Sequence, residues 1–184
     1  MATQTTLTLE QFFALPECEA DGTRYELSEG ELITLPPPGY PHGVFIMNLG
    51  RILGAALDRK KYVISGGDVG LILKSDPAAA TVRGADAAVH ERQKVEPIAP
   101  SGYQAVAPLL AIEVVSPGNS AADIELKVRQ YLNAGTAEVW LLYPDTRRLY
   151  VFLRGAREAK VYEEHERFTS VVGCEFAVAP FFEL

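Results

Sequence analysis

The sequence predicts an α/β (α+β) domain in which a mixed sheet is flanked by helices and preceded by an N-terminal hairpin. Three observations predict it. Short strand-like segments alternate with stretches of helical periodicity. Apart from Glu113, residues 109–115 form a continuous apolar run of the kind found in a strand covered on both faces. An apolar content of 48% over 184 residues supplies one sizeable core, and the length suits a single domain over 1–184 better than two.

The elements follow in order. Thr8, with Gln11 three residues on, resembles a capping box and opens a short helix through Leu15. Residues 24–27 and 31–35 flank Ser28-Glu29-Gly30 and read as a β-hairpin. Pro36-Pro37-Pro38-Gly39-Tyr40-Pro41 reads as a stiff loop that cannot start a helix early. Residues 44–57 then carry a helical stripe of Phe45, Leu49, Ile52, Leu53 and Ala56. Three strands are expected at 62–65, 68–74 and 81–89. The polar stretch 90–108, with Pro97, Pro100, Gly102 and Pro108, reads as a loop. Ser120 caps a helix that Asp123 favours at its start and Gly135 stops. Strands at 137–143 and 149–153 meet at a Pro144-Asp145 turn, and two short strands are expected at 160–162 and 168–172.

Composition narrows the function. No apolar run approaches the roughly 20 residues needed to span a bilayer. The N-terminus lacks the basic-then-apolar order of a secretory signal, so a cytoplasmic protein is expected. Cys18 and Cys174 are too few and too far apart for a disulfide framework or zinc site. A net charge of −7 and a pI near 5.0 argue against a protein that coats nucleic acid. They leave room for an enzyme whose bound metal meets a phosphate.

Three charges stand where apolar residues would be more stable. Glu113 lies inside the 109–115 run and by alternation shares a face with Leu109, Ala111 and Val115. A buried carboxylate there needs a cation, a donor or a raised pKa; the plainer reading is a strand-end acid that is paired with an arginine or partly wet. Asp86 alternates with Val82, Gly84 and Ala88, small neighbours that leave space beside it. It reads as a ligand, a turn residue or a partner for Arg83. Lys127 falls in the helical stripe Ile124, Lys127, Val128, Tyr131, where it either snorkels to water or meets a carboxylate or substrate.

Two carboxylates and a lysine suit Mg²⁺ or Mn²⁺ and phosphodiester chemistry. Oxygen ligands hold such an ion, which lowers the pKa of a water. An ammonium stabilises charge developing on phosphorus. No nucleophilic side chain accompanies them, so direct attack by activated water is expected. Among the other side chains, His90 and His165 read as surface residues and Trp140 as core.

Nearly end to end, the sequence resembles the Uma-type "putative restriction endonuclease" family of the PD-(D/E)XK nuclease superfamily. The resemblance is carried by Leu9-Glu10-Gln11-Phe12, Tyr25-Glu26-Leu27, Gly30-Glu31-Leu32, the proline-rich loop with His42, and Asp68-Val69-Gly70-Leu71. It continues through Glu113-Val114-Val115-Ser116-Pro117, Asp123, Lys127, Tyr131, Ala134-Gly135, Glu138-Val139-Trp140 and Asp145. It implies a restriction-endonuclease-like fold, a DNA substrate, Mg²⁺ or Mn²⁺, and a homodimer for duplex cutting. It further implies Asp86 and Glu113 as metal ligands with the Val114 carbonyl, and Lys127 as the active-site lysine. Glu31, ahead of Glu26, would supply an additional acid, and His42 would border the site. Two positions depart from the pattern: Ala85 replaces the proline before the aspartate, and Val115 the lysine two residues after Glu113. A non-catalytic binding module and a hydrolase of small phosphate esters are the competing readings.

Overall fold

The computed structural model describes residues 6–95 and 102–184. Its order is α1 (Leu9–Phe13), β1 (Arg24–Ser28), β2 (Glu31–Leu35), α2 (Tyr40–Ala56), β3 (Tyr62–Lys74), β4 (Thr81–Glu91) and β5 (Leu110–Val114). There follow α3 (Ala121–Ala134), β6 (Glu138–Tyr143), β7 (Arg148–Leu153), β8 (Lys160–Tyr162), β9 (Arg167–Thr169) and β10 (Glu175–Ala177). The capping box at Thr8 forms as read, each partner accepting the other's backbone N–H.

An eight-stranded mixed sheet runs β2-β1-β4-β5-β6-β7-β8, with β3 on the other edge of β4; β9 and β10 pair separately. Among the described strands only β5 and β6 pair in parallel, joined through α3. One face packs α2 and the C-terminal segment around Leu49, Leu53, Ile112, Trp140, Phe176 and Phe181. The other packs Val128 and Tyr131 of α3 over Ala111, Val139 and Leu141. This double cover explains the apolar run of β5.

Five expectations are corrected. Helix α2 starts at Tyr40, with Pro41 in its first turn, where a missing N–H costs nothing. The strands expected at 62–65 and 68–74 are one strand, bent by a bulge between Gly66 and Val69 at which Gly67 (φ 86°) and Asp68 (φ 58°) take left-handed conformations. Strand β4 runs on to Glu91, followed by a 3₁₀ turn at Arg92–Lys94; the rest of the expected loop lies partly outside the described residues. His90 is buried, its Nε2 3.0 Å from the Val106 carbonyl, and burial pushes its pKa down. The strand expected at 168–172 is shorter and pairs with β10, which alternation over three residues is too brief to reveal.

Candidate active site

The sheet forks along one edge of β4. Near its start β4 pairs with β1, Val82 opposite Leu27. Near its end it pairs with β5, from Ala87 opposite Ile112 to Val89 opposite Leu110. Between these stretches lie Arg83–Asp86, and side chains take over the work of the ladder. Glu26 accepts the N–H of Gly84 at 2.8 Å, and Asp86 accepts that of Val114 at 2.6 Å. Continuing the β4–β5 register by one step sets Asp86 opposite Glu113, with Cα atoms about 5 Å apart in such a pair.

The β3 bulge explains how Asp86 reaches this gap. Between the Gly66–Ala87 and Val69–Ala85 pairs, β3 has two residues and β4 has Asp86 alone. Bulges increase local twist and re-aim side chains. Ala85 and Ala88 accordingly pack in the same cluster, so alternation breaks at Asp86. Its Oδ1 lies 2.9 Å from Nε2 of His42 in the first turn of α2. That contact raises the His42 pKa, against the opposing effect of partial burial.

Glu113 keeps its expected face and meets α3. Lys127 Nζ donates to its Oε2 at 2.9 Å, and the Tyr131 hydroxyl donates to its Oε1 at 2.7 Å. Burial, with repulsion from Asp86 and Glu26, outweighs the pull of Lys127 and pushes the Glu113 pKa up to about 7. Lys127 does not snorkel: its ammonium also lies 3.1 Å from Glu26. Burial would lower its pKa, but Glu113 and Glu26 more than offset this and hold it protonated.

The additional acid at the site is Glu26; Glu31 is exposed at the start of β2. Glu26 is buried, ion-paired with Arg83 at 2.7 Å. Burial opposes its ionisation, but Lys127 and Arg83 prevail and lower its pKa. Arg83 also donates to Gln130 and Ser28, closing a network that sequence reasoning missed. The available signal was the Glu26–Ser28 alternation in β1, a polar face that α3 covers with Gln130 and Lys127. Asp68, in the bulge, pairs with Arg24.

Asp86 and Glu113 offer carboxylate oxygens next to a lysine, and the Val114 carbonyl would add a third oxygen donor. A cation among them would relieve the repulsion that raises the Glu113 pKa, and Mg²⁺ completes its octahedron with water. In that sense the donors fit a small divalent ion. Among the described residues no three His, Cys, Asp or Glu side chains form a ligand cluster on their own.

Comparisons with known proteins accord with the motif resemblance. The family model Uma2, described as "Putative restriction endonuclease", matches residues 9–179. A crystal structure of a "putative nuclease belonging to DUF820" from Anabaena variabilis superimposes with a TM-score of 0.78, covering 96% of this chain and 97% of that one. At 19% identity this likeness shows the shared fold. No curated protein matches the chain.

Proposed function

Because the chain belongs to the Uma2 family of "putative restriction endonucleases", we propose that the forked site hydrolyses DNA phosphodiester bonds with the help of a divalent metal ion. The observation that carries this reading is the convergence of Asp86, Glu113 and the Lys127 ammonium in the β1–β4–β5 fork. Asp86, Glu113 and the Val114 carbonyl would hold Mg²⁺ or Mn²⁺, which when bound lowers the pKa of water and neutralises phosphate charge. Lys127 keeps a positive charge beside the reacting phosphate, where a preorganised cation stabilises negative charge developing on oxygen. Glu26 aims that ammonium from the far side, and its own carboxylate is held by Arg83. His42, fixed by Asp86, offers a second cation when protonated. The expected acid role of Glu31 passes to Glu26 as a positioning residue. Two cuts in a duplex call for two such sites, hence a homodimer.

The test is incubation of purified protein with plasmid in Mg²⁺, Mn²⁺ or EDTA, with Asp86→Ala alongside. Nicking or linearisation that needs the metal and Asp86 is expected. One observation favours the rival reading of a degenerate binding module: both Glu113 oxygens and both Asp86 oxygens already have protein partners. Wild-type protein that binds DNA and never cuts it would put that reading first.

A further inference from the structure

The chain carries a net charge of −7, yet one end of the β3–β4 ribbon is basic. Residues 58–61 read Asp-Arg-Lys-Lys and 91–94 read Glu-Arg-Gln-Lys, five cations against two acids. The fold brings the two tetrapeptides together: Arg92 N–H donates to the Lys61 carbonyl at 2.7 Å, and Arg92 Nε to that of Arg59 at 2.8 Å. Both acids are engaged. Asp58 accepts the Lys60 N–H, and Glu91 pairs with Lys94. Among the described residues Arg59, Lys60, Lys61 and Arg92 make no ion pair, and all four are exposed. Such unpaired cations are the usual footprint of a phosphate backbone.

A groove runs from this cluster along α2 and β3 to the β3 bulge. Its volume is about 540 Å³, within the range of ligand-binding clefts. Arg59 and Arg92 stand at one end, with Gly50 and Gly54 of α2 along one wall and Gly66 and Gly67 of the bulge at the other end. A side chain at Gly50, Gly54 or Gly67 would enter open space, so the glycines keep the channel clear. Gly66 abuts Asp86, its missing Cβ lying 3.1 Å from the Asp86 carbonyl oxygen. From Asp86 to Glu91, the residue before Arg92, the strand spans about 17 Å at 3.3 Å per residue. That is close to five base pairs of duplex at 3.4 Å each.

We propose that the groove between α2 and β3 binds the sugar–phosphate backbone of the substrate, anchored by Arg59, Lys60, Lys61 and Arg92 and leading to the forked site. This rests on the nuclease reading and adds where the polymer lies. It also accounts for an acidic protein handling a polyanion: the groove supplies a local attraction that salt screens.

The experiment measures fluorescence anisotropy of a labelled oligonucleotide, as single strand and as duplex, in EDTA over a salt series. The variant Arg59→Gln/Lys60→Gln/Lys61→Gln is compared with Arg154→Gln/Arg157→Gln/Lys160→Gln, an equal charge change on exposed residues at the far edge of the sheet. Expected is a loss of tenfold or more for the first variant, its salt slope smaller by about 3 because each phosphate contact contributes about one unit. The second variant should bind like wild type, and both should melt like wild type. A loss on single strand alone would assign the groove to an unpaired strand, and a loss on both to duplex backbone; each supports the proposal. Equal losses in the two variants, no loss in the first, or no binding by wild type overturns it. So does a change in oligomeric state in the first variant, which would make this face a protein interface. Plasmid cleavage separates the two readings. Cutting by both variants with unchanged binding sinks the groove alone, whereas groove-dependent binding without cutting in Mg²⁺ or Mn²⁺ sinks the nuclease alone.

Discussion

The proposed chemistry turns at the residue scale on Lys127 and Glu113, because each shifts the other's proton equilibrium against the effect of burial. The ammonium sits 2.9 Å from Glu113 and 3.1 Å from Glu26, so Lys127→Met removes a cation shared by two acids while keeping the aliphatic stem. Without Lys127 the Glu113 pKa rises further. The fair comparison is therefore on the high-pH plateau of each protein's own rate profile, where Glu113 is ionised. There, cleavage should fall by on the order of a hundredfold or more with DNA binding nearly unchanged; cutting at the wild-type rate would remove Lys127 from the mechanism. Glu113 also leaves a mark on stability. Folded, it keeps its proton up to about 7, against an ordinary value of 4.5. Between those values the native state binds a proton that the unfolded chain has lost, so this group makes stability fall as pH rises. Glu113→Gln has no proton to lose. The wild-type melting temperature should thus decline relative to the variant from pH 4.5 to 7, and parallel melting curves would refute the raised pKa.

At the scale of elements, the sequence was legible wherever one strong periodicity met one environment. The apolar run of β5 announced a strand covered on both faces, with Glu113 as its exception. The α3 stripe put Lys127 beside Val128 and Tyr131, and both pack where expected. Legibility failed where partners come from afar. The β1 face of Glu26 and Ser28 reads as solvated until Arg83 and α3 cover it, and His90 reads as exposed until Val106 folds over it. The bulge was hidden for another reason. Gly66-Gly67-Asp68 looks like a break between two strands, and only pairing with β4 shows that the strand continues. That bulge is itself testable. Deleting Gly67 leaves one residue opposite Asp86, restores a regular ladder and turns the carboxylate out of the fork. The variant should stay folded by circular dichroism and lose both cleavage and any thermal response to Mg²⁺. A deletion variant that cuts normally would show that the bulge does not aim Asp86. Packing elsewhere on β3 is less forgiving. A Cβ at Gly70 would lie 1.9 Å from the Tyr103 ring, so Gly70→Ala should cost about 1–3 kcal/mol, as overpacking does. Tyr103→Ala in the same chain should recover part of the loss in a denaturant titration; no recovery would place the strain elsewhere.

For the whole molecule, the sheet collects acids at its fork and cations at the end of one ribbon, and a bound divalent ion would change that balance most at the fork. Ligand that binds only the native state stabilises by mass action, about 2.7 kcal/mol at a hundredfold excess over Kd. For a chain of this length that corresponds to about 5–10 °C in melting temperature. The chain has one tryptophan, Trp140, which is fully buried against Phe168, Phe176 and Phe181. It lies on the α2 face of the sheet, across from Glu113 and Lys127, so its fluorescence follows loss of the whole core and is insensitive to a local change at the fork. Adding Mg²⁺ or Mn²⁺ should therefore raise the fluorescence-detected melting temperature of the wild type. Asp86→Ala and Glu113→Gln should each lose most of that rise, since removing either acid leaves one carboxylate and a backbone carbonyl as protein ligands. Glu31→Gln, on an exposed acid outside the fork, should keep the full response. If Glu113→Gln shifts in step with the wild type, the ion binds elsewhere, and Asp86 and Glu113 serve as hydrogen-bond partners of Val114, Lys127 and Tyr131 and not as ligands.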